Sequence, residues 1–158
     1  MTDEVVVRQC VYSDLAALKR AEPPGPGIAR NLLHHQAAGS IVYAAAWQRH
    51  QPVGTVVLDL TSAHTPELKH LYVQGSARGI GAGRALCAWT EHRAAQAGFD
   101  TLYLGVGIEN HEARRLYERL GFRSIGQTTT TTYQYVDDDG EKQWATETDD
   151  IFEKLLAG

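Results

Sequence analysis

The chain has few of the residues that define several large protein classes. Among its 158 residues are only two cysteines, Cys10 and Cys87. They are too few for a disulfide scaffold, and they show no Cys-x-x-Cys or Cys/His spacing of a zinc site. The longest apolar run, residues 41–47, is far too short to cross a bilayer. We therefore expect two buried, reduced cysteines, no metal and no membrane partner.

The chain also lacks an excess of basic residues. It has 15 Lys and Arg against 19 Asp and Glu, a net charge of −4 and a pI near 5.9. Nucleic-acid binders usually carry a basic stripe, so this balance argues against a nucleic-acid partner and favours a small or cationic one. The acidic start, Met1-Thr2-Asp3-Glu4, does not have the basic and apolar regions of a signal peptide, so we expect a cytoplasmic protein.

Hydrophobic patterns divide residues 1–158 into strands and helices that fit one domain. Strands are predicted for residues 5–10, 41–47, 53–60, 68–73, 101–106 and 128–136, for a segment starting at Phe122, and for the tail, residues 150–156. Helices are predicted from Ser13 or Asp14 to Arg20, for residues 28–38 and 111–120, and from the end of a glycine-rich turn at residues 75–83 to Ala97.

Glycine and proline mark the boundaries of these elements. The run Pro23-Pro24-Gly25-Pro26-Gly27 breaks the first helix, and Gly39, Gly98 and Gly121 end the later ones. A turn is predicted at Gln51-Pro52, and Asp139-Gly140 is a hairpin signal. We expect the tail to pair with residues 128–136.

The predicted order is β-α-α-β-β-β-α-β-α-β-β. Consecutive strands without a helix between them favour antiparallel pairing, whereas the later strand–helix–strand segment favours a parallel pair. The expected fold class is therefore α/β (α+β), with a mixed, mostly antiparallel central sheet of about seven strands and helices on both faces.

The glycine-rich turn at residues 75–83 is the most informative segment for function. A strand ends, glycines allow a tight backbone path, and a helix begins. The first amides of a helix have no partner within it and carry partial positive charge, so they suit a phosphate or diphosphate. The segment is not a Walker loop, because Gly83 is followed by Arg84-Ala85. It also fails the dinucleotide pattern in both registers.

The run Arg78-Gly79-Ile80-Gly81-Ala82-Gly83 resembles the Arg-x-x-Gly-x-Gly acyl-CoA signature of the GNAT superfamily of acetyltransferases. Leu71-Tyr72-Val73 precedes it as the end of a strand, as in that family, although Gly75 stands where the family often has proline. The resemblance implies acetyl-CoA as co-substrate. It also implies a cofactor-binding set made of the last strand residues and the turn: Leu71, Tyr72, Val73, Arg78, Gly79, Ile80, Gly81, Ala82, Gly83 and Arg84.

A second block, residues 110–122, is similar to the family pattern Asn-x-x-Ala-x-x-x-Tyr-x-x-x-Gly-Phe. Asn110, Ala113 and Tyr117 are spaced to share one helix face. Asn110 is also a good helix N-cap, and Ala113 leaves room for a slender ligand. The resemblance adds all three residues to the CoA-binding set and makes Tyr117 the general acid. A tyrosine hydroxyl, with a pKa of ~10, is a weaker acid than a thiol, with a pKa of ~8.5. A hydrogen bond to the departing sulfur therefore describes this role better than full proton transfer.

A base is also needed, because an alkyl ammonium has a pKa near ~10.4. Glu67 stands at a position where several members of the family place one, and it needs a raised pKa or a water relay to act. His70 is a second candidate on the same predicted strand. Its position in the strand alternation is opposite to that of Glu67, so Glu67 ranks first. By resemblance, a backbone N–H of residues 71–73 stabilises the oxyanion.

The acceptor amine is left open by the sequence. In the family it is bound by the first two helices and the late hairpin, which here carries Tyr133, Tyr135, Trp144 and the acidic residues 137–139 and 141. These groups favour a small cationic amine, and a protein amine is an alternative. A non-catalytic acyl-CoA-binding module and an acetyltransferase of charged tRNA are rival interpretations, the latter disfavoured by the acidic pI. A homodimer is a family-level expectation.

Overall fold

The computed structural model describes residues 4–21 and 27–156, with only the backbone of Ser76. The predicted helix break at residues 23–27 lies outside these residues except for Gly27. Besides two short 3-10 helices, these described residues form seven strands and four α-helices: β1 (Val6–Gln9), α1 (Leu15–Ala21), α2 (Ile28–Ala37), β2 (Ile41–Gln48), β3 (Gln51–Asp59), β4 (Glu67–Val73), α3 (Ala82–Gln96), β5 (Thr101–Gly107), α4 (His111–Arg119), β6 (Arg123–Val136) and β7 (Lys142–Leu155).

The elements follow each other in the predicted order, and the predicted class, a mixed seven-stranded sheet with helices in an α/β fold, is confirmed. The chain forms two compact units. The first consists of the residues up to Leu102 together with those from Leu155 onward, and the second is Tyr103–Lys154. The strand order is β1-β2-β3-β4 in the first unit and β5-β7-β6 in the second.

The core of the first unit surrounds β2, whose sequence is apolar over its first seven residues. Alternate residues Ile41, Tyr43 and Ala45 join a buried cluster with Leu18 of α1 and Leu33 of α2. The residues between them, at 42, 44 and 46, are buried as well, and α3 packs against β2, β3 and β4. This strand is therefore covered on both faces, which explains why its sequence is a continuous apolar run rather than an alternating one.

The second unit contains most of β5, the helix α4 and the long β6–β7 hairpin. Arg114 of α4 is bound to Asp150 of β7 at 2.7 Å and lies over the Phe152 ring, 5.1 Å from its centroid. Gly121 has φ +97, the left-handed value that a helix stop needs. Phe122 then turns into the core and is 3% exposed. The predicted stop at Gly121 is confirmed, and β6 begins one residue after the predicted Phe122.

One predicted turn is wrong. Gln51 and Pro52 belong to β3, and the turn consists of the two preceding residues, Arg49 and His50, with φ values of +52 and +65. Two-residue hairpin turns need such values because their twist then matches that of the strands. The proline lies where the β2–β3 register shifts, an irregularity that tolerates a residue without an N–H donor.

The predicted partner of residues 128–136 is also mostly wrong. The tail is a strand as expected, but only its first residue, Asp150, pairs within this segment, opposite Thr128. Residues 129–136 pair instead with residues 142–149, which sequence patterns did not predict as a strand. The hairpin turn at residues 137–141 explains the difference, because a short turn brings the immediately following residues into register. The Asp139-Gly140 turn is confirmed, with Asp137 N–H donating to Glu141 C=O at 2.9 Å.

Candidate functional site

The glycine-rich turn of the first unit has the backbone that an anion site requires. Gly79 and Gly81 have φ values of +85 and +88, which residues with a side chain rarely adopt. The first hydrogen bond of α3 runs from Ala85 N–H to Gly81 C=O, at 2.9 Å. The amides of Ala82, Gly83 and Arg84 thus precede the intrahelical bonds and carry the partial charge of the helix start.

The space around this turn also fits a bound group. A Cβ built on Gly79 or Gly81 would meet no atom within 4 Å. Glycine is therefore required at these two positions by the backbone conformation and not by crowding. Gly79, Ile80, Gly81 and Arg84 are exposed. An exposed glycine-rich turn at a helix start, with Arg78 and Arg84 in its sequence, suits a phosphate or diphosphate.

Strand β4 leads into this turn and contains an irregularity that its sequence does not reveal. Tyr72 lies opposite Thr55 and Lys69 lies opposite Val57, so two residues of β4 face one residue of β3. One of the two is His70, which has φ +52. This is a β-bulge, which re-aims side chains and interrupts the ladder of backbone hydrogen bonds.

At the end of β4, the backbone groups of one residue point away from the neighbouring strand β3. Gln74 N–H donates to Val53 C=O at 2.9 Å, so Gln74 faces β3. Backbone groups of successive strand residues point to alternate sides. The N–H and C=O groups of Val73 therefore point away from β3, as needed to pair with an extended ligand arm.

Glu67 lies at the start of β4, half-buried and opposite Asp59. Burial raises the pKa of its carboxyl, while the Lys69 ammonium and the Ser62 hydroxyl act in the opposite direction. Lys69 is itself bound to Asp59, with Nζ 2.9 Å from Oδ2. The pKa of Glu67 is therefore shifted upward, which is the direction that a carboxylate base needs.

A cavity of about 280 Å³ opens beside the bulge. Its lining comes from four elements of the first unit and consists of Ile28, Leu32, Tyr43, Thr55, His70, Leu71 and Tyr72. His70 is solvent-exposed at this lining. Partial burial lowers the pKa of His70, and the neighbouring Lys69 ammonium acts in the same direction. His70 lies in the bulge, so the regular alternation that ranked it behind Glu67 is interrupted at this residue.

Residues 110–122, the second block of the sequence pattern, form α4 together with its N-cap and its C-terminal stop, as predicted. Asn110 is the N-cap, and its Oδ1 accepts from Ala113 N–H at 3.1 Å. Ala113 and Tyr117 follow on the helix and are both half-buried. The Tyr117 ring packs edge-on against Phe122, with centroids 5.9 Å apart.

The acidic turn of the β6–β7 hairpin is explained by its own structure. Asp137 Oδ1 accepts from the N–H groups of Asp139 and Glu141, at 3.0 and 2.9 Å. Its Oδ2 accepts from Gln143 Nε2 at 3.0 Å. Because Asp137 is engaged in shaping the turn, it gives no independent support to a cationic acceptor.

A second-unit cavity of about 640 Å³ is lined by residues 107–110 and 146–148. It includes Glu109, Asn110 and Glu147. No sequence pattern marked residues 146–148, because their strand was not predicted.

The remaining observations concern the cysteines, metal ligands and membrane-spanning helices. Cys10 and Cys87 are buried and form no disulfide, as expected, and burial raises the pKa of Cys10 to about 12. Among residues 4–21 and 27–156, no group of three or more His, Cys, Asp or Glu side chains is arranged to hold a metal ion. None of the helices in the same ranges is long and apolar enough to span a membrane.

The predicted site residues thus fall into two sets. The first unit holds Glu67, Leu71, Tyr72, Val73 and the turn from Arg78 to Arg84 along one continuous path, and the second unit holds Asn110, Ala113 and Tyr117 on α4. Sequence reasoning missed the cavity contributions of Tyr43 and Thr55. Their only sequence signal was polar atoms within two otherwise apolar strands.

Comparison with solved structures shows the same fold. The ribosomal-protein-alanine N-acetyltransferase of Brucella melitensis superposes with a TM-score of 0.70 at 21% identity, covering 96% of this chain and 99% of that one. PaiA N-acetyltransferase of Thermoplasma acidophilum, solved with coenzyme A, gives 0.66 at 17% identity, covering 97% and 99%. YncA of Salmonella typhimurium, solved with acetyl-CoA, gives 0.69 at 15% identity, covering 98% and 95%.

No curated protein matches the chain by sequence. A family model does: that of the acetyltransferase (GNAT) family matches residues 10–122. This span includes the glycine-rich turn, β4 and the Asn110–Phe122 block. The chain therefore belongs to the GNAT family of acetyltransferases, which transfer an acetyl group from acetyl-CoA.

Proposed function

We propose that residues 1–158 form one N-acetyltransferase domain that transfers the acetyl group of acetyl-CoA directly to the amine of a small acceptor. The observation that carries the proposal is the turn at residues 79–84. Its two left-handed glycines and the amides before the first α3 hydrogen bond form a site for the diphosphate. When bound, acetyl-CoA supplies a thioester, whose acetyl carbon is open to attack by an amine.

The backbone of β4 orients the co-substrate in this proposal. Val73 groups that point away from β3 pair with the pantetheine arm, and Leu71 and Tyr72 line its path. A backbone N–H at the interrupted part of β4 donates to the thioester oxygen as negative charge develops there.

Proton removal from the acceptor is the second requirement. At pH 7 about one in 2,500 molecules of an alkyl amine is unprotonated, which corresponds to roughly 4–5 kcal/mol. Glu67, whose pKa is raised by burial, takes this proton directly or through water.

Tyr117 donates a hydrogen bond to the sulfur as it leaves. This role comes from the resemblance of residues 110–122 to the family pattern. It is consistent with the position of Tyr117 on the same helix as the Asn110 cap and the small Ala113. Since a binding module without turnover needs neither Glu67 nor Tyr117, these residues favour an enzyme.

The phosphate role of the turn can be tested by calorimetric titration with acetyl-CoA. Gly81→Arg forces a side chain onto a backbone with φ +88 and should reduce the affinity at least about 100-fold, since it displaces several amides at once. Gly75→Ala is the matched control, because its Cβ would meet no atom within 4 Å, and it should bind normally. Unchanged affinity of a folded Gly81→Arg protein would refute the assignment.

Tyr117→Phe tests the catalytic step by itself. We expect kcat, measured as thiol release, to fall about tenfold or more, within the usual range for a lost proton donor, while acetyl-CoA affinity stays the same. An unaltered kcat would remove Tyr117 from the mechanism.

A further inference from the structure

The 280 Å³ cavity beside the β4 bulge has a chemical character of its own. Five of its seven lining residues are aliphatic or aromatic side chains from α2 and the sheet, and Thr55 adds one hydroxyl. Among the lining residues that the structure describes, none is an acid, and His70 is the one imidazole. Such a surface favours a ligand that buries apolar area, and it offers no counter-charge to a polycation.

The size of the cavity limits what can enter. Its 280 Å³ corresponds to roughly nine volumes of a water molecule at ~30 Å³ each. An aromatic ring with a short alkyl chain, or a linear chain of similar size, fills such a space. A polyamine or aminoglycoside of that size would place several charges against Ile28, Leu32 and Leu71, where their desolvation is not compensated.

The bulge places a basic group at this cavity. His70 has φ +52 within the bulge, and it lines the cavity together with Thr55 and Tyr72. His70 is exposed to solvent there, so a proton that it accepts can pass to water.

On the basis of the proposed function, we infer that the acceptor is a primary amine on an uncharged apolar body, seated in this cavity. We assign to His70 the second proton that the nitrogen loses, after the proton of the ammonium form has passed to Glu67 or water. The ammonium form first loses a proton to Glu67 or water, and the neutral nitrogen then forms a bond to the acetyl carbon of the thioester and loses its second proton to the His70 imidazole. The carbon–sulfur bond breaks, the sulfur leaves with the electron pair and takes up a proton, and the imidazolium releases its proton to water. The products are the N-acetyl amide and free coenzyme A.

The charges around His70 are consistent with a neutral imidazole near pH 7. Lys69, adjacent on β4, lowers the pKa of His70 together with partial burial, and Asp59 on β3 acts in the opposite direction. Tyr43 from β2 and Tyr72 from β4 also face the cavity, while α2 contributes only the uncharged Ile28 and Leu32. Glu67, two residues before Lys69, completes the titratable groups of this strand.

The substrate class is tested by steady-state thiol release with 2-phenylethylamine, hexylamine and spermidine. We expect kcat/KM for the two apolar amines to exceed that for spermidine at least about tenfold. Ile28→Glu adds a carboxylate to the lining at the first turn of α2, where a negative charge is tolerated, and should reverse this preference. Asn31→Glu, on the same helix outside the lining, is the matched control and should not. A wild-type preference for spermidine, or equal effects of the two substitutions, would overturn the inference.

The role of His70 is tested by His70→Gln, which keeps a polar side chain of similar size but cannot titrate. We expect kcat to fall at least about tenfold, and the rise of kcat/KM with pH that reports the imidazole to disappear. A normal rate and an unchanged pH profile would show that His70 is not the base. His70→Asn with the same loss confirms that titration, and not side-chain length, is required.

These outcomes are separable from those of the proposed function. Calorimetry with acetyl-CoA accompanies each variant, and His70→Gln should retain wild-type affinity. Loss of acetyl-CoA binding by the wild-type protein would refute the proposed function itself. Normal binding with acetyl transfer to spermidine alone, or only to a peptide with an N-terminal phenylalanine, would refute just the acceptor class.

Discussion

The β2–β3 and β6–β7 hairpins are both antiparallel and closed by short turns, yet their relation to solvent is opposite. The first six residues of β2 are buried, as are six of the nine residues of β3. Nearly all of β6 is exposed. The sequences match this difference, since β2 is an apolar run while β6 contains five consecutive threonines at residues 128–132.

Backbone pairing is common to both hairpins, so it does not explain how they differ in stability or function. In β6–β7, cross-strand threonines contribute contacts such as Thr130 with Thr148, whose hydroxyl oxygens are 3.1 Å apart. Such pairs stabilise by only a few tenths to about 1 kcal/mol each. In β2–β3, packing from both sides fixes the strands, and with them the position of Tyr43 and Thr55 in the cavity. Two of the seven residues that line the proposed acceptor site thus lie on the hairpin that is packed from both sides.

The comparison predicts its largest difference for side-chain truncation. Leu58→Ala in β3 removes a side chain that is 1% exposed, and it should lower the free energy of unfolding by about 2–5 kcal/mol. Trp144→Ala in β7 removes a larger side chain that is 69% exposed, and the change should stay within about 0.5 kcal/mol. Urea denaturation followed by circular dichroism measures both. Similar losses in the two variants would contradict the distinction between the hairpins.

A smaller, opposite effect is expected at the β2–β3 turn. Arg49 and His50 adopt left-handed backbone angles, which are unfavourable for most residues with side chains. Replacing them with Asn-Gly should raise the free energy of unfolding by about 1 kcal/mol, because this pair suits a two-residue hairpin turn. His50→Val should lower it, since a branched side chain is strained at φ +65. The prediction fails if thermal denaturation gives both variants the same shift.

The smallest and most local effect is expected at the β6–β7 turn. Hydrogen bonds from the Glu141 backbone and the Gln143 side chain lower the pKa of Asp137. Because the folded-state pKa is depressed, the stabilisation is complete above the unfolded value of ~3.9 and is lost as pH falls through the folded value. Asp137→Ala should accelerate amide exchange in the hairpin near neutral pH, with little change in the first unit.

Asp138→Ala is the control for this experiment, because it removes the same charge one residue further along the turn. It should leave exchange unchanged. Equal acceleration in both variants would show that net charge, and not the Asp137 hydrogen bonds, maintains the turn.

Local chemistry explains which features were predictable. The order of elements, the Asn110 cap, the stop at Gly121 and the left-handed glycines of the phosphate turn each depend on neighbours within a few residues. The first part of β7, residues 142–149, was missed because these residues pair through a turn and cross-strand partners and have no strong apolar alternation. The Gln51-Pro52 turn was misplaced because the proline signal outweighed two residues, Arg49 and His50, that carry no turn signature.

The sequence by itself determined the family, the element order and the glycine-rich turn, since these are encoded in contiguous motifs. The tertiary structure alone decided that β4 contains a bulge at His70 and that this side chain lines an apolar cavity with Tyr43 and Thr55. A bulge is a mismatch in length between two paired strands, and a cavity is space left between elements distant along the chain. Neither property belongs to a single segment, so neither can be inferred from one.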